Sequence, residues 1–138
     1  MRALGIDHGT KRMGVALSDE LKFIAQPAGF LPAEPEAECL AAIRTLVGAK
    51  EVDEVIVGMP RNMDGSYGPA AAKVREFVTA LGAVISVPIR TWDERLTSAQ
   101  ANRVLLQANV SRQDRKVKVD QMAAAILLQS YLDSRALA

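Results

Sequence analysis

Two short apolar runs open the chain, RALGID at 2–7 and MGVALS at 13–18, and the residues between them include Gly9. Strand-length runs joined by a brief glycine-containing turn form a hairpin, which commits the start of the chain to a sheet. A third run, KFIAQPAGFL at 22–31, continues the meander and is irregular at Pro27. Beyond Pro32 and Pro35 the period changes. Leu40, Ile43 and Val47 recur at helical spacing across 36–47, and Gly48 is placed to cap that helix. DEVIVG at 53–58 suits a buried strand, and 59–68 reads as a loop. Pro69 opens a helix in which Val74, Phe77, Val78 and Leu81 share one face. Residues 84–92 form another strand, and Pro88 confines its end to a sheet edge or a strand start. Helices are predicted over 98–109 and 119–133, separated by a polar, basic loop at 111–118. A three-strand meander followed by helix-connected strands predicts an α/β fold. Right-handed crossovers set the later strands parallel to the first, in a mixed five-stranded sheet with helices on both faces.

The 138 residues suffice for one domain with a real core and are too few for two, so 1–138 is expected to be a single domain. A hydrophobic content of 49% excludes disorder as a whole-chain state. The formal charge is +1, so affinity for nucleic acid must come from local patches. With Cys39 the only cysteine, an intramolecular disulfide is excluded. Leu40 and Ile43 nearby make Cys39 a small buried hydrophobe. The chain enters its first strand with no signal peptide, and no apolar run reaches the ~18 residues that span a membrane. The expected setting is the cytoplasm, away from membranes.

Three widely separated acidic positions fall where such a sheet would gather them. Asp7 ends the first strand, on a face it shares with the small residues Ala3 and Gly5. Small residues there let a helix or a substrate backbone approach closely. Asp93 and Glu94 end a later strand and point to opposite faces, so only one can be a direct ligand, and Glu94 reaches further. Asp120 shares a helical stripe with Ala124, Leu127 and Tyr131, which turns it inward. A buried carboxylate needs a partner or a metal. The plainer readings are a turn residue for Asp7, a helix-entry acid pair for Asp93 and Glu94, and an N-cap for Asp120. Converging at one sheet edge, the acids instead suggest a divalent-metal site of the kind that cuts phosphodiesters.

Basic residues flank these positions. Lys11 and Arg12 follow Asp7, while Arg112, Arg115, Lys116 and Lys118 precede Asp120 and could hold phosphates without sequence preference. Arg61 and Asn62 are donors in the loop leading to the Pro69 helix. The plain alternatives are a solvated loop for the run from Arg112 to Lys118 and an ordinary turn around Asp64 and Gly65 for residues 59–68. Trp92 and Tyr67 could stack bases but read more simply as core or interface residues. His8 reads as an exposed turn histidine.

GIDHGTKRMGVA at 5–16, VGMPRNMDG at 57–65, TWDERLTS at 91–98 and VDQMAAAILLQSYLD at 119–133 resemble, in family order, the YqgF/RuvX family of Holliday-junction resolvase-like nucleases. The resemblance covers nearly the whole chain. It implies a ribonuclease-H-like fold, with the family's acids on Asp7, on Glu94 with Asp93 beside it, and on Asp120. Related resolvases carry an acid at the end of the fourth strand, where this chain has Gly58, so an acid of the DERLTS motif would substitute. The implied activity is endonucleolytic hydrolysis, in maturing the 5′ end of the small-subunit ribosomal RNA precursor, in cutting branched DNA, or in both.

The all-carboxylate ligand set favours Mg²⁺ or Mn²⁺. In the expected two-ion arrangement Asp7 bridges, and Glu94 and Asp120 complete the shell. The partner is structured RNA or branched DNA, and a four-way junction would call for a two-fold homodimer. Two rival readings are a non-catalytic ribosome-assembly factor on the same fold and an actin- or sugar-kinase-like nucleotide binder. The second needs another domain, for which the chain has no room.

Overall fold

The structure is a computed structural model. It describes residues 1–61, 64, 66–94 and 112–136, with side chains in the last helix from Met122 to Arg135. Its elements are β1 (Arg2–Asp7), β2 (Arg12–Ser18), β3 (Ala25–Pro32), α1 (Glu36–Ala49), β4 (Val52–Met59), α2 (Pro69–Gly82), β5 (Ile89–Asp93) and α3 (Arg112–Ala136). The strands form one five-stranded sheet in the order β3-β2-β1-β4-β5. The three-strand meander is antiparallel, and β4 and β5 run parallel to β1. This is the mixed sheet expected from the sequence.

Strand alternation sorts side chains to two faces. Leu4, Ile6, Val55 and Val57 meet Ile43 of α1 and Val74, Phe77 and Leu81 of α2 on one face. Ala3, Ala16 and Ile56 meet Ala124, Leu128, Tyr131 and Leu132 of α3 on the other. The second face is built from small residues because α3 lies almost on the sheet. A Cβ at Gly5 would stand 2.8 Å from the Leu128 Cβ and 3.1 Å from the Ala124 carbonyl oxygen. Cys39 is buried in the first core, as its neighbours suggested.

Polar contacts fix α3 where it leaves the sheet. Glu54, near the start of β4, is only 5% exposed. Its carboxylate accepts hydrogen bonds from Lys22, from the Tyr131 hydroxyl at 2.7 Å and from Arg135 at 2.7 Å. Lys22 also pairs with Asp53 at 2.7 Å. Burial pushes the Glu54 carboxyl up, but Lys22, Tyr131 and Arg135 together outweigh it and leave the group below its ordinary pKa. Gln129 ties the helix to the hairpin: its Oε1 accepts from Ala25 N–H at 2.8 Å and its Nε2 donates to the Phe23 carbonyl at 2.9 Å.

Several boundaries differ from expectation. α1 runs through Gly48 to Ala49 and ends where Glu51 takes a positive φ of 53°, so Gly48 is not its cap. β5 starts at Ile89, because the N–H groups of Ala83, Val84 and Ile85 still close turns onto Ala80 and Leu81 of α2. The largest correction concerns 111–118. Arg112 to Lys118 belongs to α3, not to a loop. Arg, Gln and Lys are good helix formers, and a polar stretch without an apolar stripe hides that from periodicity. The helix expected over 98–109 lies outside the described residues.

Candidate active site

Because β1, β4 and β5 are parallel, their C-terminal ends open on one edge of the sheet. Asp7 ends β1 there. Glu94 follows β5, and its N–H donates to the Met59 carbonyl at 3.2 Å, extending the ladder by one residue. From that anchor its side chain folds back across β4 over Gly58. A Cβ at Gly58 would lie 2.1 Å from Glu94 Oε1 and 2.8 Å from its Cγ and Cδ. Only glycine leaves that space. An isolated glycine inside a strand marks such close approaches, and this is the signal that sequence reasoning passed over.

The Glu94 carboxyl meets that of Asp7. Burial, then the charge and hydrogen bond of Asp7, then the charge of Asp93, push the Glu94 pKa up to about 8. Two carboxyls in contact do not both ionise unless a cation joins them; without one, the pair retains a proton. Asp93 diverges to the other side of the strand end, with its Oδ2 at 3.5 Å from Arg61 Nη1. The structure therefore brings Asp7 and Glu94 together and sets Asp93 against Arg61.

Asp120 lies more than two turns inside α3, so the N-cap reading is corrected. Its position is one turn before Ala124, which is buried against the β1–β2 face. The Ala124 Cβ and the Asp7 Cβ both lie close to Gly14, at 3.7 and 3.5 Å from where a Cβ there would sit. Position 120 thus continues the helix stripe toward the strand edge where Asp7 ends. The side chain of Asp120 lies outside the described residues, as do those of Arg112, Arg115, Lys116 and Lys118 and all of Asn62. Among the described residues, no group of three or more His, Cys, Asp or Glu could hold an ion. Asp7 and Glu94 are two of the three acids expected.

The flanking residues divide. Lys11 is exposed in the β1–β2 turn and Arg12 at the start of β2, where its guanidinium lies 4.1 Å above the Phe30 ring on β3. Arg61 reaches Tyr67 as well as Asp93, with its Cζ 4.8 Å from the ring centroid. Asp64 Oδ1 accepts from the Ser66 N–H at 2.9 Å and hydroxyl at 2.6 Å, the ordinary turn expected there. Trp92 is structural. Its indole N–H donates to Ser130 at 3.1 Å, and its ring meets Tyr131 edge-on at 5.4 Å. His8 is not an exposed turn residue. It is half-buried against Phe77 at 5.2 Å and lines a cleft of about 540 Å³ with Met13, Cys39 and Lys73. Burial lowers its pKa against the raising effect of Asp7, which keeps the imidazole neutral at pH 7.

Acids gathered at the C-terminal edge of a mixed sheet in this strand order define a ribonuclease-H-like nuclease fold. T. thermophilus RuvC in complex with a Holliday junction substrate has the same fold, with a TM-score of 0.56 at 17% identity, covering 99% of this chain and 96% of that one. Residues 1–134 match the family model described as RuvX: Holliday junction resolvase, and the chain belongs to that family. A protein of Halothermothrix orenii is 47% identical over 133 residues, 96% of this chain and 95% of its own. One of Moorella thermoacetica is 48% identical over the same shares. Both carry the name "Putative pre-16S rRNA nuclease". No helix among the described residues is long and apolar enough to cross a membrane.

Proposed function

We propose that the 138 residues act as one divalent-metal-dependent endonuclease domain that hydrolyses phosphodiester bonds in structured nucleic acid. The observation that carries this reading is the contact between Asp7 and Glu94, two carboxyls that raise the pKa of Glu94 and that a cation would hold together as carboxylates. The donor set fits Mg²⁺ or Mn²⁺, because every candidate is a carboxylate oxygen. Asp7 and Glu94 would hold the ion from the sheet, and Asp120 from α3. When bound, such an ion polarises the phosphate and lowers the pKa of attacking water. The chain's own residues set the geometry. Gly58 admits Glu94 to the edge, and the backbone bond to Met59 fixes where its side chain begins. Arg61 holds Asp93 to one side, and the neutral His8 adds no charge beside Asp7.

The favoured substrate is the 5′ end of the small-subunit ribosomal RNA precursor. Relatives 47% and 48% identical are named for a nuclease acting on pre-16S rRNA. Branched DNA is the second reading, favoured by the family description, and it carries the expectation of a two-fold dimer on a four-way junction. Cleavage of a precursor-like RNA hairpin and of a four-way DNA junction, with Mg²⁺, Mn²⁺ or chelator, tests the reading. Asp7→Asn should abolish metal-dependent cutting while leaving binding intact. Undiminished cutting by that variant, in a preparation free of other nucleases, overturns the assignment of Asp7, and failure of the wild type to cut either substrate with either metal favours a non-catalytic binding module.

A further inference from the structure

Beside the carboxylates lies a cluster of which the proposed reaction uses only Arg61. Tyr67 precedes α2 and is 49% exposed. The Arg75 Cζ, nearly two helical turns into α2, sits 4.6 Å from the Tyr67 ring centroid, and the Arg61 Cζ sits 4.8 Å from the same centroid. Arg61 is also the residue that holds Asp93, immediately before Glu94. The first turn of α2 carries no acidic residue. The nearest glutamate in sequence, Glu76, lines the His8 cleft.

We propose that Arg75 and Arg61, organised by the shared Tyr67 ring, form a docking step for the phosphodiester backbone flanking the cleaved bond. The Arg75 guanidinium, stacked on the ring, spends its flat face on that contact and keeps its N–H edge for a phosphate, which it can grip bidentately, while Arg61, held by Asp93 and the same ring, adds its charge alongside. The ring also removes rotamer freedom that an exposed arginine would otherwise lose on binding. Charge complementarity and the Arg61–Asp93 link to the strand edge identify the occupant as a nucleic-acid strand. Tyr67 is then a positioning residue acting through the two arginines. The inference rests on the nuclease reading for the identity of its ligand, but binding can be measured apart from cutting.

The test is fluorescence anisotropy in chelator, using a labelled single-stranded RNA and a DNA of the same sequence, each at several salt concentrations. Arg75→Ala should weaken binding about tenfold and reduce the salt slope by about one unit. Arg75→Lys should recover the slope but only part of the affinity, because an ammonium lacks the fork. Tyr67→Phe should bind like wild type, and Tyr67→Leu should lose affinity with an unchanged melting temperature. Arg44→Ala, at an exposed position of α1, is the control. Equal losses in both nucleic acids support a phosphate grip, and a loss confined to RNA or to DNA overturns it in favour of base or sugar reading. Wild-type affinity and slope in Arg75→Ala, or an equal loss in Arg44→Ala, also overturns the proposal, even with Asp7→Asn still inactive. A protein that fails to cut but shows the Arg75 and Tyr67 effects keeps the docking step and loses the nuclease reading.

Discussion

The Glu94 side chain occupies the volume that any side chain at Gly58 would fill, with its Oε1 2.1 Å from the site of a Cβ. An acid borne on the segment after β5 is thereby laid across β4 to meet Asp7 on β1. The missing carboxylate of β4 and the glycine in its place are two sides of one arrangement.

Gly58→Ala should therefore damage activity far more than stability. Elsewhere in a strand, replacing glycine by alanine is stabilising by about 0.5–1 kcal/mol. Here the methyl group must push Glu94 aside, and a misplacement of about 1 Å at a reacting centre costs on the order of 100-fold in rate. Cleavage kinetics, Mn²⁺ titration and thermal melting of the same preparation would show it. A variant that cuts and binds Mn²⁺ like wild type would mean that Glu94 does not act from above Gly58.

The raised pKa of Glu94 makes the metal-free protein sensitive to alkali. In the folded state the carboxyl keeps its proton up to about pH 8, against 4.5 for its ordinary value. Between those values the folded state binds more protons than the unfolded, so rising pH favours unfolding, and the loss is complete above pH 8. In chelator, the melting temperature should fall between pH 5 and pH 8.5. Glu94→Gln should remove that component, matching wild type at pH 5 and exceeding it by on the order of a few degrees at pH 8.5. Parallel profiles for the two proteins would show that no proton is held there.

Acid should act through Glu54 instead. Its lowered pKa gives stability that is fully present above the unfolded value and is lost as pH falls through the folded one. Tyr131→Phe leaves the ring packing in place and removes one of the carboxylate's donors. Leaving such a group under-satisfied costs about 1–3 kcal/mol. Urea unfolding at pH 7 measures this cost, and its disappearance at low pH, where Glu54 is protonated, identifies the carboxylate as the cause.

The sheet was legible because alternation and proline placement are local signals. Ala3, Gly5 and Asp7 on one face, Pro69 at the start of α2 and Pro88 before β5 all stand where their neighbours in sequence put them. The choice between Asp93 and Glu94 was not legible, because it depends on Gly58 and Asp7, which are distant in sequence and adjacent only across the sheet. Arg75 escaped notice for the same reason: its partner Tyr67 lies outside the helix that carries it. The start of α3 was not legible because Arg112 to Lys118 gives no apolar stripe.

The Glu54 cluster also has a mechanical reading. It grips α3 through Tyr131 and Arg135, whereas the proposed third ligand, Asp120, lies roughly 16 Å back along the same rod at ~1.5 Å per residue. A rod pinned at one end still has an angular setting. Turning α3 by roughly 20° would carry a Cα at ~2.3 Å radius through about 0.8 Å, and a carboxylate further. Glu54 and the Gly5–Leu128 contact together index that angle, and with it the direction in which position 120 of the rod faces.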